Sequence, residues 1–257
     1  MTPSPILKVL STLTTRQVRF LLMGGQACIF YGGAEFSRDT DIVIAVDSEN
    51  LDRLKQALAD LQARRIAVPE FSEEYLRRGH AIHFRCYHPE AEGTRLDVMT
   101  VLRGVSTFEE LWLRRATVEI DGAARVEVMA LPDLVAAKKT QRDKDWPMIR
   151  RLLEAHYGAN KEAPNAAQCR FWLLELRTPW MLEEVARRFP GPTGELVESR
   201  PLLAFAAAGD REKLEAGLQE EEKRERDADR AYWLPLRKEL EQMRLQRQNA
   251  RGTGDTT

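Results

Sequence analysis

Cysteine is scarce in this chain, and Cys28, Cys86 and Cys169 lie far apart and are odd in number. No C-x-x-C pair exists, so no disulfide framework is expected and a reducing compartment, the cytoplasm by default, suits the pattern. Long apolar runs are also missing. The apolar stretch after Arg19 is broken by Gly24, Gly25 and Gln26, well short of the ~18 residues that suggest a membrane span. A single early Lys8 with no clean apolar segment behind it gives no expectation of a signal peptide. Net charge is almost absent, with 39 Lys and Arg against 40 Asp and Glu. Overall charge therefore makes no case for nucleic-acid binding, although a local basic patch stays open. There is no G-x-G-x-x-G fingerprint to mark a dinucleotide site, and no internal repeat.

What is present begins with a chain of 257 residues, 43% hydrophobic, enough for one large domain or two modest ones. Its organising stretch is FLLMGGQACIFYGGAEFSRDTDIVIAV, residues 20–46. The pattern predicts a short strand over Phe20 to Met23, a Gly24-Gly25 turn, a compact helix to about Tyr31, and a strand carrying Asp39 and Asp41. Side chains on a strand repeat every two residues, so the two carboxylates share a face. A pair of hard oxygen donors suits Mg²⁺, or Mn²⁺ in its place, which prefers a few carboxylates plus substrate phosphates to a closed protein cage. Paired glycines between strand and helix let backbone amides approach an anion. Together they imply a nucleoside triphosphate, ATP or another.

Gly24-Gly25 followed after a helix by Asp39-Thr40-Asp41 resembles the signature of the nucleotidyltransferase (DNA polymerase beta-like) superfamily. The wording GGQA then SRDTDIV is most similar to the minimal bacterial and archaeal nucleotidyltransferases, including AbiEii-like toxins. The resemblance covers about the first 145 residues. It implies an α+β fold, a mixed sheet with flanking helices followed by a helical C-terminal region. It also implies a third carboxylate on a neighbouring strand, and Asp97 in TRLDVMTV is the matching position. Asp39, Asp41 and Asp97 would hold metal, with Asp97 also a general base. In LVAAKKTQRDKDW, Lys138 matches a helical Lys that contacts substrate phosphates and Lys144-Asp145 matches a Lys-Asp element, while Met148 stands where a second acid is commoner. Ser37 is expected to shape the turn, and Arg38 either reaches a phosphate or sits in solvent. The implied activity moves a nucleoside monophosphate from an NTP to a hydroxyl of RNA, protein or a small molecule such as an aminoglycoside. A cognate regulatory protein is a further expected partner. The competing readings are a non-catalytic nucleotide sensor or protein-binding member of the same fold and, less favoured, a phosphodiester hydrolase.

Elsewhere, Leu51, Leu54, Leu58 and Leu61 predict a helix over 49–64 with Asp47-Ser48 at its start. HAIHFRCYH, residues 80–88, reads as a strand rather than a zinc site, because His83 falls on the face opposite His80, Cys86 and His88. Two strands over 116–121 and 125–129 predict a hairpin. If the helix after Pro132 continues to Asp145, then Lys138, Gln141 or Arg142, and Asp145 share one side. The division expected is a core over 1–130, helices over 131–250 and a disordered tail over 251–257, with FPGPTG (189–194) as a break and Pro235 starting a fresh helix. The stripe Trp233, Leu236, Leu240 and Met243 is expected to pack back onto the body.

Overall fold

The computed structural model describes residues 4–120 and 125–252. Its described residues divide into two compact units, one from Met1–Phe30, Phe36–Ala137 and Ala231–Thr257, the other from Tyr31–Glu35 and Lys138–Arg230. The fold is mixed α+β, with one seven-stranded sheet and a helical C-terminal region.

In the first unit the order is α1 (Ser4–Thr15), β1 (Phe20–Met23), α2 (Gly24–Phe30), β2 (Asp39–Ile44), α3 (Ser48–Asp60), β3 (Arg64–Arg65), α4 (Glu73–Arg77), β4 (Ile82–Arg85), β5 (Arg95–Met99), α5 (Phe108–Arg114), β6 (Ala116–Glu119), β7 (Arg125–Val128) and α6 (Leu131–Lys138). The strands lie in the order β3-β4-β5-β2-β1-β7-β6. β1 pairs antiparallel with β2, whereas β2 with β5 and β1 with β7 are parallel. Ile42, Ile44, Leu96, Val98, Ile82 and Phe84, the even positions of the central strands, are buried. α1 contributes Ile6, Val9, Leu10 and Leu13 to the core at helical spacing. α3 starts where the sequence places it, because the Asp47 carboxylate accepts from the Asn50 amide at 2.8 Å. β6 and β7 pair antiparallel, as the hairpin requires, and the residues joining them lie outside the described ones.

The second unit contains α7 (Asp145–Asn160), α8 (Ala166–Glu175), α9 (Pro179–Arg188), α10 (Pro190–Leu196) and α11 (Leu203–Ala208). The long helix α12 (Arg211–Gly252) begins in it and ends in the first unit. Its core is built on Tyr157 and Trp172, whose rings meet edge to face at 5.0 Å. Buried Arg200 donates to the carbonyls of Leu173 and Leu176 and to Glu221, so a charge inside the helices is fully partnered.

Several sequence expectations need correction. The helix after Pro132 does not continue to Asp145 but ends at Lys138, because Thr140 turns the chain and bonds the Asp145 side chain. The FPGPTG segment is a helix rather than a loop. Its Pro190 sits in the first turn, where no N–H is needed, and Thr193 Oγ1 donates back to the Phe189 carbonyl at 2.8 Å. Pro235 lies inside α12 instead of starting a helix, at an exposed position where water can take the carbonyl that loses its donor. The expected disordered tail lies almost wholly outside the described residues. Cys28, Cys86 and Cys169 are buried and take part in no disulfide, and burial pushes the Cys86 thiol up to about 11. Among the described residues no helix is long and apolar enough to cross a membrane.

Candidate active site

β1 delivers the chain directly into α2 without a separate turn. Gly24 opens that helix at φ +64°, a conformation open to glycine without strain, and a Cβ there would overlap the Asp41 carboxylate. A Cβ on Gly25 would likewise overlap Ser37 Oγ. The two glycines thus let an acidic and a hydroxyl side chain lie against the backbone. Buried Gln26 fixes the approach to β2 by donating to the Ser37 carbonyl at 2.9 Å, and Ser37 Oγ donates to the Asp39 carbonyl at 3.3 Å.

β2 opens on Asp39. Asp41 is the register partner of Met23 on β1 and of Asp97 on β5, while Asp39 is opposite Arg95. Residues in register on adjacent strands project from the same face. Asp39, Asp41 and Asp97 therefore lie on one side of the sheet, and His83 joins them as the register partner of Asp97 on β4.

Asp97 is only 8% exposed, and its Oδ1 accepts from Arg95 Nε at 2.7 Å and faces His83 Nδ1 at 2.9 Å. Arg95 Nη2 also stands 3.0 Å from His83 Nδ1. One ring nitrogen cannot donate to Asp97 and accept from Arg95 at once, so His83 serves one of the two, according to its tautomer. Burial pushes the Asp97 carboxyl up, and the bonds from His83 and Arg95 more than reverse it, leaving it below the usual carboxylate range. Arg95 is held more firmly charged than a free arginine, chiefly by its bond to Asp97, with Asp39 and Asp41 adding their fields.

The donor chemistry fits a hard divalent cation, since Asp39, Asp41 and Asp97 offer only carboxylate oxygens on one face. Among the described residues, however, no group of three or more His, Cys, Asp or Glu side chains is arranged to hold a metal ion. Arg95 supplies positive charge at Asp97 instead.

Lys138 and Lys144 belong to the other unit. Lys138 is buried and reaches Asp145 Oδ1 at 3.3 Å. Asp145 also accepts from Thr140 Oγ1 at 2.6 Å and Arg142 Nε at 2.7 Å, and its carboxyl stays below its ordinary range despite burial. Lys144 is exposed immediately before α7. Arg38 is exposed, its guanidinium 5.9 Å from the ring centre of Phe36. Sequence reasoning missed His83 and Arg95. The alternation in TRLDVMTV already set Arg95 on the face of Asp97, but the importance of His83 depends on the pairing of β4 with β5.

No protein-family model and no curated protein matches the chain. Among solved structures, the chain is similar to an H. pylori protein inferred to be a nucleotidyltransferase, at 14% identity and a TM-score of 0.38 over 86% of this chain and 92% of that one. It is also similar to ANT(2″)-Ia in complex with adenylyl-2″-tobramycin, at 12% identity and a TM-score of 0.33 over 84% and 95% of the two chains. Likenesses this loose transfer no residue role.

Proposed function

We propose that this chain is a Mg²⁺-dependent nucleotidyltransferase that moves a nucleoside monophosphate from an NTP to an acceptor hydroxyl. The observation that supports it most is the register pairing of Asp41 with Asp97, with Asp39 on the same face, beside a Gly24 that has no room for a Cβ. The order of these motifs along the chain, which resembles the superfamily, agrees with it. Asp39, Asp41 and Asp97 are the oxygen ligands in this reading, and Gly24, Gly25, Ser37 and Arg38 border the phosphates. Mg²⁺, when bound, supplies neutralising charge to the triphosphate and acidifies the attacking hydroxyl. The acceptor oxygen forms a bond to the α-phosphorus, the bond from that phosphorus to the bridging oxygen breaks, and pyrophosphate leaves. The hydroxyl proton passes to a base. Asp97 is poorly suited to that second role, because a carboxyl held below its usual range is a weak proton acceptor; its first role is as an anionic ligand positioned by Arg95 and His83.

Incubation with labelled NTPs and total cellular RNA or protein tests the reading. Asp39→Asn and Asp41→Asn are expected to abolish labelling with the fold intact, and a variant that labels at the wild-type rate would sink it. The Arg95–Asp97 bond favours a second reading, a non-catalytic nucleotide-binding member, because an arginine already balances the acidic face without a cation. Calorimetry with each NTP in Mg²⁺, followed by a pyrophosphate assay, separates the two: binding without turnover, unchanged in Asp97→Ala, is the outcome of the second.

A further inference from the structure

One row of cross-strand partners runs outward from the carboxylates: Asp39 on β2 faces Arg95 on β5, Arg95 faces Arg85 on β4, and Arg85 faces Arg64 on the edge strand β3. Three arginines therefore occupy successive strands on one face, about 10 Å from first to last at the usual strand spacing. Like charges directly opposite one another destabilise a sheet. Arg95 is neutralised by Asp97, but Arg85 and Arg64 are exposed, and neither makes an ion pair among the described residues. Protection of a sheet edge from pairing needs charge only on the edge strand. Arg85 lies one strand further in, and its pairing with two arginines is left unexplained by that role.

An exposed aromatic stands at the outer end of the row, and a second lies close in the chain to its inner end. Tyr87 is 43% exposed with the Arg64 guanidinium 5.2 Å from its ring centre, and Phe36, 62% exposed, lies three residues before Asp39 with Arg38 over its ring. A basic line with aromatic faces beside it is how single strands are held without sequence preference, the backbone on the cations and the bases on the rings.

We propose that Arg64, Arg85 and Arg95, flanked by Tyr87 and Phe36, form a track for the phosphodiester backbone of a single-stranded nucleic acid. The track leads to Asp39, so on the nucleotidyl-transfer reading, on which this assignment of role rests, the strand is the acceptor. The net charge of −1 hides the track because the basic residues are concentrated locally.

Fluorescence anisotropy of a short unstructured RNA, titrated with the full chain over a range of salt, tests the track. Wild type is expected to bind, and the Arg64→Ala/Arg85→Ala pair to bind roughly tenfold more weakly at low salt. Its salt slope should fall by about 1.4, since each phosphate contact on a single strand contributes about 0.7. Arg64→Lys/Arg85→Lys should keep most of the binding. NTP affinity in Mg²⁺, measured by calorimetry, should be unchanged in the alanine pair. Failure of wild type to bind RNA, equal binding by the alanine pair, or a loss confined to NTP affinity each overturns the track. The proposed chemistry fails separately: Asp39→Asn with full pyrophosphate release removes the reaction and leaves the anisotropy result standing.

Discussion

Gly24 is the residue whose replacement discriminates most sharply. Alanine there meets a left-handed backbone, costing on the order of 1–3 kcal/mol, and also drives a methyl into the Asp41 carboxylate. Gly24→Ala is therefore expected to lower both the melting temperature and NTP binding. Gly25→Ala has ordinary backbone angles but meets Ser37 at both Oγ and Cβ, so it should cost less than Gly24→Ala by the backbone contribution while still lowering stability. Asp97 makes a pH prediction with a definite sign. Its folded carboxyl lies below its unfolded value, so its contribution to stability is present above the ordinary carboxylate range and is lost as pH falls through the lowered one. Asp97→Asn should flatten that acid limb in a urea-midpoint series across pH, and Arg95→Ala, by removing one of the two groups that with His83 hold the carboxyl down, should move the limb to higher pH. Persistence of the wild-type limb in Asp97→Asn would assign the acid sensitivity to another group. The acidic positions were legible in sequence because a two-residue period needs no knowledge of neighbours. Of the partners of Asp97, Arg95 shares its strand and its face and lay within reach of the same period, whereas His83 lies across a strand pairing that no local pattern encodes.

At the scale of elements, the connection between α6 and α7 shows how a correct contact can follow from an incorrect element. A spacing of seven between Lys138 and Asp145 fits one side of a continuous helix, yet the two side chains meet across a turn that begins at Thr140. The polar run KKTQRDK can bond its own backbone and side chains in either form, so periodicity could not choose between them. Asp145 is fully buried, so removing a partner leaves its charge less well compensated. Lys138→Ala is expected to cost about 3 kcal/mol, toward the lower end for a broken buried pair because Thr140 and Arg142 remain bonded. Chemical denaturation checks it, and a loss below 1 kcal/mol would mean that the pair contributes little to the fold. FPGPTG does separate α9 from α10 at Phe189, but its helical form and the place of Pro235 inside α12 escaped the sequence for a related reason. Proline disfavours a helix through one missing donor and one crowded carbonyl, and both are tolerated in a first turn or on a wet face.

For the whole molecule, the decisive feature is that the chain leaves the first unit at Lys138 and returns to it at Ala231. The returning half of α12 is fastened by few groups. Leu236 is 8% exposed, Glu239 bonds buried His80 at 2.8 Å and Arg78 at 2.6 Å, and Gly79, at φ +96°, lies where an added Cβ would stand 3.2 Å from the Tyr232 hydroxyl oxygen. The apolar stripe noticed in the sequence therefore does pack on the body, at the turn between α4 and β4, but the polar fastening at His80 was invisible because Glu239 is 159 residues away. Contacts this distant close a large loop, and their loss should loosen the local structure they cover before it unfolds the sheet. Leu236→Ala is expected to cost about 2 kcal/mol, the low end for a buried leucine, since one side of α12 faces water. Hydrogen exchange should quicken across α4 and residues 79–82 while the amides of β1, β2 and β5 keep their protection. Glu239→Ala should give the same pattern more weakly. Uniform acceleration through all the strands in either variant would show instead that the returning helix and the sheet unfold as one unit.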